Sequence, residues 1–386
     1  MRMTLPIVLK AVIVVGISVA ASIWPLCADE AVDGPALMQR VRDDIAWVGK
    51  LESFQLAARV EERQTPEGLE QALKKIKEQN PGLEQPDPLK FTELQSEWNV
   101  RTELAFDARR LRLMTLWRDG TNRELDRRVQ MWDARRSTDH FQNFRSGEDR
   151  IHFGSKISSV AGDFGIWFGY LRSQPLDCWW NNDGKQRQEL REFYGIPSDF
   201  VLVGRESYHG VDCHVVLDAR AHYSDRYYIG VKNGRRYGAQ TGVISVANRP
   251  EYVETHRRLF QEFLGKSLGD GSDAEYWAAV YQQLPALSAA RRAAWGKRSY
   301  SEIGKRFTPV WEYWYSDFRD LGEGRFLPFR ETHLFYSHDD GDKKSFVRSQ
   351  RTTFVRKLTL VQTLDDSLFD EPIAAGATVV DDVPKP

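Results

Sequence analysis

Apolar residues Leu37, Val41, Ile45 and Val48 recur at helical spacing, so residues 36–50 predict an amphipathic helix. The period then changes to two. Phe54, Leu56, Ala58 and Val60 fall on one side of "SFQLAARVEERQ", which predicts a strand. "TPEGLEQALKKIKEQ" predicts a short helix opened by Thr65 and Pro66, and "NPGLEQPDP" a loop; residues 65–90 together form a polar insert. A ladder of strand patterns follows. Trp98, Val100, Thr102, Leu104 and Phe106 alternate with Asn99, Arg101 and Glu103, and Leu111, Leu113, Thr115 and Trp117 share a side. "RRVQMWDARRSTDHFQNF" and "DRIHFGSK" continue the series. Such spacing suits an antiparallel meander with one packed and one wet face.

Residues 158–173 break the alternation. Ile166, Trp167, Phe168, Tyr170 and Leu171 predict a short helix with an apolar surface, and "KQRQELREFYG" a second helix ending at Gly195. Strands begin at Phe200 and Val211, and "RYYIGVKNGRRYG" predicts a hairpin turning at Asn233-Gly234. Residues 249–300 return to helical spacing, with Ser272 an N-cap. Three long strand patterns follow: "PVWEYWYSDFRDL", "RFLPFRETHLFYSH" and "KSFVRSQRTTFVRKLTLVQTL". The fold class is therefore mainly β with helices (α+β): one curved antiparallel sheet of about ten strands with helices on one side.

The run Ala11–Leu26, with Arg2 and Lys10 near it, predicts a secretory signal peptide over residues 1–28, cleaved after Ala28; an uncleaved anchor is the alternative. Pro25 and Leu26 before Cys27 do not suit a lipobox. The chain after Ala28 is expected to be soluble and periplasmic or otherwise extracytoplasmic, as one domain over residues 29–386 with a helical insertion at 249–308. Cys178 and Cys213 then become a disulfide candidate, with two buried thiols as the alternative. Charge is balanced, 54 basic against 55 acidic residues, which gives no argument for nucleic acid or an anionic membrane surface. Aromatics are abundant, with 12 Trp, 20 Phe and 14 Tyr, as in large cores and in apolar or sugar-binding clefts.

Cys213, His214, Asp218, His222 and Asp225 crowd one stretch. On a regular strand Cys213 and His214 point to opposite faces, so the stretch reads as sheet and no metal is expected; a site formed from His214, His222 and a carboxylate is the alternative, with no recognisable ligand spacing behind it. "GKSLGDGSD" lacks the earlier glycine and the strand of a phosphate loop. Glu312 and Asp317 stand five apart, on opposite faces of a regular strand. Asp339-Asp340 and Asp381-Asp382 suit solvated turns. His209 and His214 lack a recognisable nucleophile motif. No catalytic residue and no cofactor are expected.

The order of the pieces resembles the bacterial outer-membrane lipoprotein carrier family, the LolA-like half-barrel proteins. "LMQRVRDDIAWVGKLESFQLAARV" is similar to the family's first helix and strand, and "MWDARRSTDHF" to its "sDGk" hairpin, with Ala134 where Gly is usual. "DFVLVG" and "YIGVKNGR" are similar to later strands. Phe369, Pro372, Gly376, Val379 and Asp381 resemble the family's closing "F…P.G..V.D". The chain is about twice as long as the simple carriers, so residues 65–90 and 249–308 read as insertions. The resemblance implies an incomplete, half-open β-barrel with a helical lid, holding lipid acyl chains or lipoproteins on its concave apolar face. The lining residues would be Trp98, Val100, Leu104, Phe106, Leu113 and Trp117, with Ile166, Trp167 and Phe168 from the lid; ordinary core is the alternative for each. Two further readings are an envelope sensor that binds a protein partner, and a carbohydrate-binding or -hydrolysing protein supported only by the Trp content. Peripheral membrane contact is compatible with the carrier reading.

Overall fold

The computed structural model describes residues 33–45, 47, 53–79, 98–107, 110–119, 121–133, 136–154, 200–218, 225–243, 249–269, 271–303, 308–338, 345–360, 363–371 and 376–381. The signal segment, the helices expected over 158–195, His222 and Cys178 lie outside the described residues. In order, the elements are α1 (Gly34–Ile45), β1 (Ser53–Gln64), α2 (Pro66–Gln79), β2 (Trp98–Asp107), β3 (Arg110–Arg118), β4 (Glu124–Trp132), β5 (Ser137–Asn143) and β6 (Glu148–Gly154). They continue with β7 (Phe200–Tyr208), β8 (Val211–Asp218), β9 (Arg226–Gly230), β10 (Arg236–Val243), α3 (Arg249–Leu264), α4 (Asp273–Ala286) and α5 (Ala289–Glu302). The last are β11 (Thr308–Asp320), β12 (Phe326–His338), β13 (Ser345–Leu360), a 3₁₀ turn (Asp366–Phe369) and β14 (Thr378–Asp381).

All fourteen described strands join one open, curved sheet, ordered β14-β6-β5-β4-β3-β2-β1-β13-β12-β11-β10-β9-β8-β7. Neighbours are antiparallel except β14, which runs parallel to β6. The class is α+β with no closed barrel. β1 joins the two halves: Val60 stands opposite Val100 on one side and Thr353 on the other. The expectation of about ten strands is too low. "RRVQMWDARRSTDHFQNF" is two strands, whose turn closes by Asp133 N–H donating to Arg136 O at 3.2 Å and Arg136 N–H donating to Asp133 Oδ1 at 2.8 Å. The Asp133 side chain holds that turn by accepting from a backbone N–H three residues on. β14 has only four residues, too few to show a period.

The period-two pattern is realised as burial. Phe54, Leu56, Ala58 and Val60 are exposed by 4% or less, each contributing about 1–3 kcal/mol of transfer free energy for the larger side chains. The turn expected at Asn233-Gly234 is a longer loop. Gly230 N–H donates to Arg235 O at 2.8 Å, and Gly234 takes a φ of +68°, which Gly adopts without strain.

Helices lie on both faces of the sheet, not on one. Register decides this, because directly opposed residues share a face. Val201 opposes Leu217, and its side chain touches Gly296 of α5; Tyr300 of α5 packs with Cys213, Val215 and Tyr228 on that same face. His214 and Val216 alternate with these and are buried all the same, and the Arg40 charge of α1 acts on His214. The α1 start meets β7 closely: a Cβ on Gly34 would stand 2.6 Å from Phe200 O. At β7–β8 the "wet" side is therefore covered by α1. The helices α3–α5 share a core of Tyr252, Val253, Leu259, Phe260, Tyr276, Val280, Trp295 and Ile303. Ser272 caps α4 through a reciprocal capping box with Glu275. Asp33–Pro386 forms one compact unit. Among the described residues, no helix is long and apolar enough to cross a membrane.

Candidate functional site

Three strands carry the face that the sequence marks as apolar. Phe54 of β1 stands opposite Phe106 of β2, which stands opposite Leu111 of β3. Leu56, Leu104 and Leu113 form the next row but one, and Val60, Val100 and Trp117 a third. Phe54, Leu56, Val60, Leu111 and Leu113 are exposed by 0–3%, while Trp117 is half-buried. Trp98 stands opposite Glu62, at the polar end of the face. In β2 only the side chain of Ala105 is described, so Trp98, Val100, Leu104 and Phe106 are placed by register alone. Ile166, Trp167 and Phe168 lie outside the described residues.

Followed across β13, this face continues into an aromatic ladder that the sequence reasoning did not single out. Trp311 stacks on Tyr313 at 5.2 Å, Tyr313 on His333 at 5.4 Å, and His333 on Phe335 at 6.1 Å. The signal was present as alternation in "WEYWY" and "ETHLFY", but only pairing brings the two strands side by side, with Tyr313 opposite His333 and Trp311 opposite Phe335. Charges at this end are paired. Arg351 donates to Glu62 Oε2 at 2.7 and 3.0 Å, and His333 Nε2 meets Glu331 Oε1. Burial pushes the Tyr313 hydroxyl up, against the opposing pull of Arg236. The Tyr313 ring is thus a packing and hydrogen-bonding group, not a titrating one, at neutral pH. The whole face thus passes from mainly apolar at β1–β3, where Thr102 and Thr115 share a row with Ala58, to aromatic and polar at β11–β12.

The opposite face holds the groups weighed for chemistry. Glu312 is buried and fully engaged: His209 Nε2 lies 2.8 Å from Oε1, while Tyr336 Oη and Gln240 Nε2 donate to Oε2 at 2.9 and 3.3 Å. His209, in a tight turn with a φ of +47°, also stacks on Trp314 at 4.0 Å. Asp317 is exposed and binds Arg319, so it makes no carboxylate pair with Glu312. Cys213 is a buried thiol, pushed up to about 12 by burial and the nearby Asp212 charge. The expected pairing of Cys213 with Cys178 turns on a residue outside the description. Burial, aided by Arg205, lowers the His214 imidazole, and Cys213 and His214 do point to opposite faces.

Among the described residues, α5 contributes no lid to the apolar face. α5 docks on the Val201–Val215 face, which register places on the far side of the sheet from Phe54, Leu56 and Val60.

No protein-family model matches this chain, and no curated protein does. Solved structures do. One is a domain described as an outer membrane lipoprotein-sorting protein from Vibrio parahaemolyticus, 6% identical, with a TM-score of 0.35 over 87% of this chain and 96% of that one. A DUF1329 family protein from Desulfovibrio piger is 9% identical, with a TM-score of 0.33 over 88% and 98%. A LolA superfamily protein from Nitrosomonas europaea is 11% identical, with a TM-score of 0.31 over 88% and 99%.

Proposed function

We propose that this protein is an extracytoplasmic carrier that holds the acyl chains of a lipid or lipoprotein on the β1–β3 face and performs no chemistry on them. The observation that carries the reading is the in-register apolar rows, Phe54-Phe106-Leu111 and Leu56-Leu104-Leu113, continuing into the Trp311–Phe335 ladder. An amphiphile matches such a face: a tail along the apolar rows, a polar end beside rings and hydrogen-bonding groups. Each buried methylene would contribute about 0.8 kcal/mol. Phe54, Leu56, Val60, Leu111 and Leu113 are closed to solvent as they stand, so loading along them requires whatever covers them to move.

The test is native mass spectrometry of residues 29–386 secreted from a bacterial host. The expected result is a copurified phospholipid or acyl-peptide mass. A Trp117→Glu variant, altered at a half-buried position of the same face, should keep its circular dichroism and lose that mass. An apo mass unchanged after incubation with phospholipid and with acylated peptide would overturn the proposal.

A further inference from the structure

The chain's charge is balanced overall, but the pairing of strands assembles a basic strip that no single segment displays. One cross-strand row on the face away from the acyl-binding rows reads Ser316, Arg330, Phe354, Arg59, Arg101 across β11, β12, β13, β1 and β2. The register shift between Ala57 and Ala58 leaves Arg356 as an extra residue beside this row, and Lys357 stands opposite Ala57. A bulge of this kind re-aims a side chain. Here the Arg356 guanidinium carbon lies 5.8 Å from the centre of the Phe354 ring, and that of Arg330 lies 5.4 Å from it. Phe354 is half-buried, whereas Arg330, Arg356 and Lys357 are exposed. Among the described residues these three cations have no carboxylate partner. Arg59 is bound to Glu61 at 2.8 Å. The acidic positions adjoining the row are Glu61 and Glu103, fewer than the basic ones.

We infer that this strip is the docking surface for an acidic segment of a partner protein. Charge complementarity selects an anionic partner: two guanidiniums that have no carboxylate partner among the described residues flank one ring, and Arg is a residue type that anchors protein interfaces and binds carboxylates with its paired donors. The flanking elements select a narrow one. The α5 helix stands on this face over β7–β8, and the C-terminal segment stands on it over β3–β6, where Glu371 meets Arg112, Arg127 and His140. The strip is the floor between them. A single acidic stretch of chain reaches such a floor, while a planar bilayer is held off by both flanks. A partner could thus be engaged from behind while the other face stays loaded, although the inference does not rest on the acyl-binding reading.

The experiment titrates a fluorescent decapeptide of alternating Glu and Asp, and a Lys decapeptide of equal length, into the full chain at low and physiological salt. Binding of the acidic peptide alone, weakened by salt, is expected. Arg330→Gln/Arg356→Gln should weaken it about tenfold with an unchanged melting temperature, and Arg330→Lys/Arg356→Lys should retain most of it. Equal affinity of wild type and the Gln pair would overturn the inference. So would binding to phosphatidylglycerol vesicles that the Gln pair abolishes, with no binding of the acidic peptide, because the strip would then be a membrane contact.

Discussion

Glu371 ties the C-terminal segment to the sheet, and its removal tests that bond directly. The side chain is 5% exposed; Arg127 Nη1 donates to Oε1 at 2.6 Å, Arg112 Nη2 lies 3.5 Å from Oε2, and His140 Nδ1 lies 3.3 Å from Oε1. His140, itself buried, reaches Asp149 with its other nitrogen at 2.7 Å, so two carboxylates hold one imidazole. The perturbation is Glu371→Gln, which keeps the shape and removes the charge. Breaking one side of a buried ion pair typically costs 3–5 kcal/mol. Arg127 and Arg112 are 25% and 16% exposed, and Arg127 keeps a bond to Gln142 Oε1 at 3.1 Å, so solvent and that bond recover part of the loss. The expectation is a loss of about 2 kcal/mol, read from urea unfolding at pH 7.5. The pH dependence follows from the carboxyl. Burial pushes Glu371 up, but Arg127, Arg112 and His140 outweigh it and hold the group below its ordinary 4.5. A carboxylate depressed in the folded state stabilises above its unfolded pKa and loses that contribution as pH falls through the folded one. The gap between wild type and Glu371→Gln should therefore be full at neutral pH and close below about pH 4.5. Coincident urea midpoints at pH 7.5, or a gap that stays constant down to pH 3.5, would refute the reasoning.

Two further predictions rest on close contacts and burial. Gly238 lets the Tyr208 ring reach β11, where its hydroxyl donates to Tyr313 O at 2.9 Å; a Cβ at Gly238 would sit 2.2 Å from that same carbonyl oxygen. Gly238→Ala should therefore destabilise by about 2–3 kcal/mol in thermal or urea unfolding, and an unchanged transition would contradict the packing described. The Cys213 thiol, raised to about 12, should take up no iodoacetamide at pH 8 in the folded protein and react at once in guanidinium; a thiol that labels in the folded state, or stays unlabelled when denatured without reductant, would show that Cys213 is not a buried free thiol.

Local signals were sufficient wherever one segment carried its own evidence. Ser272 with Glu275 marks the start of α4 in the sequence, and the structure has that capping box. The alternation of "SFQLAARV" named four of its five buried residues, all but Ser53, because a period of two leaves a strand one choice of face. The alternation of Cys213 and His214 was legible for the same reason, and it separated them before any fold was known. Alternation could not say what covers a face. His214 and Val216 lie on the face opposite Cys213 and are buried all the same, where α1, more than 150 residues earlier, meets neighbouring β7 and brings the Arg40 charge to His214. The apolar rows at Leu104 and Leu113 were likewise legible as strands, while the ladder that extends them was not, since Tyr313 and His333 meet only through β11–β12 pairing.

The sequence by itself determined the class of fold, the alternating strands, the three helices of the insertion and the apolar face of β1–β3. These follow from spacings within one segment, which the backbone converts directly into direction. Tertiary structure decided the rest: that β13 pairs with β1, that α5 lies behind the apolar face instead of over it, and that Glu371 closes on Arg112, Arg127 and His140. It also gathered Arg59, Arg330 and Arg356 around Phe354 in a chain whose net charge is −1. Register across distant strands is set by the whole sheet, so no segment could announce it alone.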